Sequence, residues 1–207
     1  MNNTSQLIDS IESRVAMIVD ISSLNLNRGV TEDQIAAAQE YIGLSFSEEF
    51  KELYYKYNGQ HKKSPTFLGL TWLALQDICH EYIEWQKIVN DGVTNDILDE
   101  WSTSYPIEAI QLRYSSEGWL PLLTDNFGNF IGIDCNPGKS GISGQIINFG
   151  RDQEHKYVIA KSLTDLLYKI LALLYKEDYI FFDKGKNMIS LKNNIGVFDL
   201  ISNGYFK

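Results

Sequence analysis

Cysteine is nearly absent from this chain. Its 207 residues include only Cys79 and Cys135, far apart and without paired spacing, which excludes a disulfide framework and a zinc knuckle. Histidine is almost as scarce, with His61, His80 and His155 in unrelated contexts. His80 opens "HEYIE", but a zinc-protease helix needs a second imidazole one turn on, where this chain has Glu84. His80 therefore reads as a helix-surface or packing residue, and neither metal nor cofactor is expected. Positive charge is also short: 18 Lys and Arg stand against 27 Asp and Glu, a formal charge of −9. Such a surface repels phosphate backbones and argues against direct nucleic-acid binding. It suits a basic partner through electrostatic steering, or serves solubility alone.

Long apolar runs are missing too. "LLYKILALLY" (166–175) is too short to cross a bilayer and carries Lys169. The amino end, "MNNTSQLIDSIESRVAMIVD", has neither the basic lead nor the apolar run of a signal peptide. These features predict a cytoplasmic protein with no membrane partner. Without repeats or low-complexity linkers, the expectation is a single domain over 1–207.

What the chain does have is aromatic residues, 12 Tyr, 10 Phe and 4 Trp, arranged in clear periodic patterns. "SQLIDSIESRVAMIV" sets Leu7, Ile8, Ile11, Val15 and Ile18 at helical spacing, with Thr4 as candidate cap. "TEDQIAAAQEYIG" begins with the capping-box pair Thr31 and Gln34 and stops at Gly43. Ser47 opens "SEEFKELYYKYNG", whose face is Phe50, Leu53, Tyr54 and Tyr57; Glu48 and Glu49 complement the helix dipole, and Asn58-Gly59 is the expected end. "TFLGLTWLAL" (66–75) predicts a strand leading into the helix "QDICHEYIEWQKIVN", and 91–104 a short helix and loop. Beyond Ile107 come short β-branched or aromatic runs, "IQLRY", "GWLPLLT", "NFIGIDC", "GQIINFG" and "KYVIAK", joined by turns, the pattern of an antiparallel meander. Pro121 places its strand at an edge or at an irregularity. Ser162 with Asp165 starts a closing apolar helix. The tail from 176 is apolar enough to pack on the body. Helices first, then a mostly antiparallel sheet, mixed pairing allowed, then a closing helix make an α+β fold.

Two further stretches imitate chemical motifs. "GIDCNPGKSGISG" (132–144) contains Gly-Lys-Ser, but five residues separate Gly132 from Gly138 where a phosphate loop has four, and no helix follows. It reads as a turn in which Pro137 fixes one angle while Gly138, Gly141 and Gly144 permit positive φ. "DNFGNFIGID" resembles a calcium loop without its closing glutamate, and a hairpin turn through Gly128 accounts for it. Asp125 and Asp134 fit either an acid/base pair across that hairpin or two acceptors for turn amides, the latter favoured.

Taken together, these segments resemble the SUKH superfamily, which joins fungal cell-wall-assembly regulators to bacterial immunity proteins. The first element is "GVTEDQIAAAQEYIGLSFSEEFKELYYKYNG" (29–59). The second half is similar to the family's Trp-x-Pro at Trp119 and Pro121, Asp-x-x-Gly-Asn at Asp125, Gly128 and Asn129, Asp-x-x-Pro at Asp134 and Pro137, and Gly-Gln at Gly144 and Gln145. The likeness runs over 29–175, with residues 1–28 and 176–207 as extensions. It implies an α+β fold and no catalysis. By the bacterial members it implies a non-enzymatic immunity protein that neutralises a cognate toxin, in many cases a nuclease, and the acidic surface favours a basic one. By the fungal members it implies a regulatory adaptor, or a peptide or small-ligand module with aromatics around Trp119 lining its cleft. Candidate partner-binding residues are Trp119, Asp125, Asp134, Glu48, Glu49 and Glu52, with Asp91, Asp96, Asp99 and Glu100 as further acids on what is equally a solvated face.

Overall fold

Three helices begin where side-chain chemistry satisfies their free amides. In this computed structural model, which describes residues 4–61, 67–91, 99–176, 180–183 and 188–205, α1 spans Thr4–Ala16 and α2 spans Glu32–Ile42. Thr31 Oγ1 accepts from Gln34 N at 3.3 Å while Gln34 Oε1 accepts from Thr31 N at 2.9 Å, the reciprocal box read from sequence. Gly43 closes α2 in the left-handed region, at φ 72°. Ser47 caps α3 (Glu48–Lys56) through Phe50 N, and Ser162 caps α5 (Leu163–Leu174) through Asp165 N. Each cap contributes about 1 kcal/mol. Thr4 differs from expectation: its hydroxyl meets that of Thr164 at 2.9 Å and ties α1 to the start of α5.

The chain behind α3 departs from its sequence reading. Tyr57, expected on the helix face, already belongs to strand β2 (Tyr57–Gln60), which pairs antiparallel with β1 (Leu26–Arg28). Asn58 and Gly59 therefore lie inside a strand, and Asn58 Oδ1 accepts from Leu75 N at 2.7 Å, capping α4 (Leu75–Asn90) from a distance. The strand expected over 66–75 shrinks to β3 (Thr71–Trp72), because Leu68 and Gly69 both take positive φ and fold Phe67 back on Leu70.

The central sheet has six strands in the order β3–β5–β6–β7–β8–β4. β5 (Trp119–Thr124), β6 (Asn129–Asp134), β7 (Gln145–Gly150) and β8 (His155–Ala160) form the predicted antiparallel meander. β4 (Thr103–Tyr105) adds to β8 in parallel, which makes the sheet mixed and puts a strand where a loop was expected. Residues 92–98 of that expected helix and loop lie outside the described residues. "IQLRY" (110–114) is not a strand; its backbone is held by side chains, with Ile110 N on Ser104 Oγ at 2.9 Å and Tyr114 N on Asp99 Oδ1 at 2.5 Å. Pro121 sits at a register shift within β5, the irregular alternative and not the edge.

Strand pairing assigns the faces. Trp119, Phe130 and Phe149 share one side of the sheet, where Trp85 of α4 meets Phe130 and Phe149 edge-on. Leu120 and Ile133 share the other, towards α3 and α5, with α1 against both helices. The tail does pack on the body. It forms a hairpin of β9 (Ile180–Asp183) and β10 (Met188–Leu191) and then α6 (Val197–Ser202), burying Ile189, Leu200 and Ile201. The observed class is α+β, as expected.

Gly59 is the tightest backbone crossing at the β2–α4 junction. It has φ 61°, and a Cβ there would sit 2.4 Å from Leu73 O. Gly69 has φ 78° with open space around it. Gly59→Ala is expected to destabilise the chain by more than about 2 kcal/mol, through strain and overlap together, and Gly69→Ala by only about 1 kcal/mol of left-handed strain. Urea unfolding of the two variants measures the difference.

Candidate functional site

Apart from Gly144, the motif residues of the second half do not line an open site. They form two polar clamps that hold the loops at opposite ends of β6. At one end, Asp125 Oδ1 accepts from Phe127 N at 2.7 Å and Asn129 N at 3.1 Å, and its Oδ2 accepts from Asn129 Nδ2 at 2.8 Å. Asn129 Oδ1 in turn accepts from Asp152 N at 2.9 Å, stitching this turn to the one after β7. Gly128, at φ 96°, makes the turn possible.

At the other end, Asp134 is fully buried. Its Oδ1 accepts from Asn136 N at 3.0 Å and its Oδ2 from Gln145 Nε2 at 2.9 Å. The same Gln145 amide donates to Ala109 O at 2.8 Å, so one side chain joins the sheet to the 106–112 loop. Gly138 and Gly141 serve this junction by their lack of a side chain and not by positive φ: a Cβ would lie 2.2 Å from Glu108 O and 2.0 Å from Ala109 O. Gly144 does use positive φ, at 90°. The Gly-Lys-Ser stretch is thus a loop pressed against another loop, with Ser140 Oγ donating to Ile107 O at 2.8 Å.

Asp125 and Asp134 are separated by the whole of β6, five steps of about 3.3 Å each, so they form no acid/base pair. Trp119 and Asp134 are interior residues that shape the surface without reaching it. Asp125 is half-buried and occupied by its own turn. Of the acids on α3, Glu48 is exposed and pairs with Lys51 at 2.7 Å. Glu52 Oε2 accepts from Ser5 N at 3.2 Å, and Glu49 Oε2 from Thr164 N at 3.4 Å, each serving the first turn of a neighbouring helix. Asp99 holds Tyr114 N, Asp91 and Glu100 are exposed, and Asp96 lies outside the described residues.

Sequence reading missed Lys156. It is fully buried in β8, its Nζ 3.0 Å from Gln153 O, 3.3 Å from Ser102 Oγ and 5.6 Å over the Trp119 ring. Alternation in "HKYVIA" gives no clear signal of this, because a register shift against β7 breaks the pattern and leaves Val158 half-buried and Ile159 buried. Burial pulls its pKa down to about 8, against the pull of Glu154 and Asp99. Burial pushes Asp134 up to about 6, against the hydrogen bonds from Gln145 and Asn136. The indole N–H of Trp119 also favours the Asp134 carboxylate, but it closes no hydrogen bond of good geometry, so the two closed bonds carry the clamp. Cys135 is raised to about 11, by burial and then by Asp134, which leaves a thiol with no nucleophilic thiolate at neutral pH.

One open concavity meets this framework. A cleft of about 390 Å³ runs between the α2–α3 connection (Ser45, Phe46, Ser47), the start of α5 (Ser162, Leu163) and the sheet end at Ile133 and Cys135, with Ser143 and Gly144 on its lip. Its floor is apolar and its rim carries hydroxyls and the Glu49 carboxylate, the composition of a docking site more than of a reaction centre. Among the described residues, no group of three or more His, Cys, Asp or Glu side chains can hold a metal ion, and no helix is long and apolar enough to cross a membrane.

A family model for the SMI1 / KNR4 family (SUKH-1) matches residues 29–169, which contain both clamps and the whole cleft. The chain belongs to this family. It is 32% identical over 149 residues to the cell wall biosynthesis/cell cycle regulator smi1 of Schizosaccharomyces pombe, covering 67% of this chain and 30% of that protein. It is 38% identical over 101 residues to the cell wall assembly regulator SMI1 of Saccharomyces cerevisiae, covering 49% and 20%. With the glucan synthesis regulatory protein of Neurospora crassa it shares 39% over 89 residues, covering 43% and 16%. The chain spans less than a third of the length of these curated relatives. These relatives are named as regulators and not as enzymes.

The two interior charges predict a pH signature. Asp134 binds its proton more tightly when folded, about 6 against 3.8, so it adds stability as pH falls from about 6 towards 4 and withdraws it as pH rises through 6. Lys156 binds its proton less tightly when folded, about 8 against 10.5, so it adds stability as pH rises from about 8 towards 10.5. Each limb is on the order of 3 kcal/mol. In urea unfolding at pH 4.5, 7 and 9.5, Asp134→Asn is expected to lose the acid increment relative to the unsubstituted chain, and Lys156→Met the alkaline one.

Proposed function

We propose that this SUKH-family chain is a non-catalytic, cytoplasmic regulatory module that docks a segment of a partner protein into the cleft between α3, α5 and the β6–β7 loop. The observation that carries this reading is the division of roles within the family segment. Its polar motif residues are taken up by clamps inside the fold, while the cleft has an apolar floor under a hydroxyl rim. That combination suits peptide recognition, with pockets for side chains and hydrogen-bonding groups for backbone. The regulators among its relatives support an adaptor role over the toxin-neutralising one.

The net charge of −9 favours a basic partner in either case. A toxin remains the second reading on that ground alone. The acids proposed for it are largely engaged: Glu49 and Glu52 serve helix termini and Glu48 pairs with Lys51.

Ser143 is exposed on the cleft lip, so Ser143→Trp fills the entrance without entering the core. With a photo-crosslinking residue near position 143, affinity purification from the native host is expected to recover a specific partner. The Ser143→Trp chain, with unchanged Tm, should recover at least about tenfold less of it, the cost of a blocked hot spot. Equal recovery by both chains rules out this cleft. Rescue of cells from a toxin encoded beside the gene would decide for the second reading.

A further inference from the structure

A second concavity lies where residues before the matched family segment cover its sheet and α5. α1 precedes the matched segment, and Ile8, Ile11 and Val15 on its inner face roof a cavity of about 140 Å³. Its opposite walls are Leu122 of β5 and Leu166 and Ile170 of α5, with Trp72 and Leu24 at the sides. Among the described residues, the polar side chains on the lining besides the tyrosine and tryptophan are Gln60 and Glu12. Gln60 is occupied at both ends, donating to Leu24 O at 2.9 Å and accepting from Trp72 N at 2.7 Å. Glu12 stands at the rim, where it meets Lys56 Nζ at 2.6 Å, an ammonium it shares with Asp9.

This chemistry selects the occupant. Away from the Glu12 rim, the described walls are apolar apart from the engaged Gln60, which disfavours a charge or an ordered water there. An unfilled void forfeits dispersion contacts on every wall. A small neutral apolar guest restores them, and a cavity of about 150 Å³ with similar aliphatic walls admits benzene. The half-buried Ile11, Ile21, Leu123 and Ile170 supply the way in between α1, the turn after it and α5.

We propose that the cavity under α1 is a binding site for a small neutral aromatic or aliphatic molecule, distinct from the partner cleft, with α1 as its clasp. Occupancy by such a guest tightens α1 against α5, because the same side chains form the roof and the α1–α5 contact.

Benzene, with the full chain, is the probe. Titration followed by methyl NMR is expected to shift the methyls of Ile8, Val15, Leu122 and Leu166 together, and Tm is expected to rise by roughly 3–6 °C at tenfold excess over Kd. Hydrogen exchange of the α1 amides should slow in parallel. Benzoate, of the same shape but charged, should do none of this. Val15→Phe and Leu123→Phe each fill the void, and whichever folds should lose the benzene shifts. The proposal is overturned if those methyls stay unmoved up to benzene saturation, if benzoate shifts them equally, or if a folded filled variant still binds. None of these readouts involves the Ser143 cleft, so failure here leaves the docking proposal standing, and the reverse.

Discussion

Asp134 has no access to solvent, so its carboxylate must find every partner within the chain. That requirement organises the second half of the molecule. Its oxygens take Asn136 N and Gln145 Nε2, and Gln145 then reaches Ala109 O, so a buried charge in β6 fixes two loops at once. Those loops lie so close that Gly138 and Gly141 leave no room for a methyl group. Remove the carboxylate and the amide of Gln145 loses its direction, the loop 136–144 loses its anchor, and the lip of the cleft at Ser143 loses its position. The lip is therefore a consequence of interior electrostatics.

A buried lysine near a buried aspartate is normally read as an ion pair, and here that reading fails. Lys156 Nζ lies over the Trp119 ring and bonds to Gln153 O and Ser102 Oγ, while Asp134 satisfies itself through amides. Trp119 stands between the two, its face to the cation and its indole edge to the carboxylate's side. Two separately solvated charges each carry a desolvation penalty, which is why their pKa values move in opposite directions towards neutrality. Each charge therefore demands partners at fixed positions, Gln145 and Asn136 for Asp134, Gln153 and Ser102 for Lys156.

The elements legible in the sequence were those with local causes. Thr31 with Gln34, Ser47 and Ser162 marked three helix starts because a cap and its amide are three residues apart. The meander was legible because alternation and turn residues recur along it. Elements with non-local causes were hidden. β4 exists because Thr103–Tyr105 meets β8 in parallel, a pairing across some fifty residues that leaves no local mark. "IQLRY" has strand composition, but Ser104 Oγ and Asp99 Oδ1 take its amides first. Tyr57 has helix periodicity, yet pairing with Arg28 outweighs a last helical turn. The site suffered most: Ser45 and Ser143 are unremarkable in the chain and become a rim only after folding, whereas Trp119, Asp134 and Gln145 of the conspicuous motifs turned out to be interior.

The matched segment, 29–169, includes both clamps, the sheet and the cleft, yet it is not what closes the molecule. α1 lies on α5, and the hairpin and α6 of the tail bring Ile189, Leu200 and Ile201 into the core. Without α1 the aliphatic faces of α5 and β5, Leu122, Leu166 and Ile170 among them, would stand open to water. An element added to cover an apolar face need only be amphipathic, so its fit is looser than that of the clamps, where hydrogen-bond geometry leaves no slack. The void beneath α1 is the physical trace of that difference: covering a surface demands a pattern of side chains, whereas satisfying a buried charge demands positions.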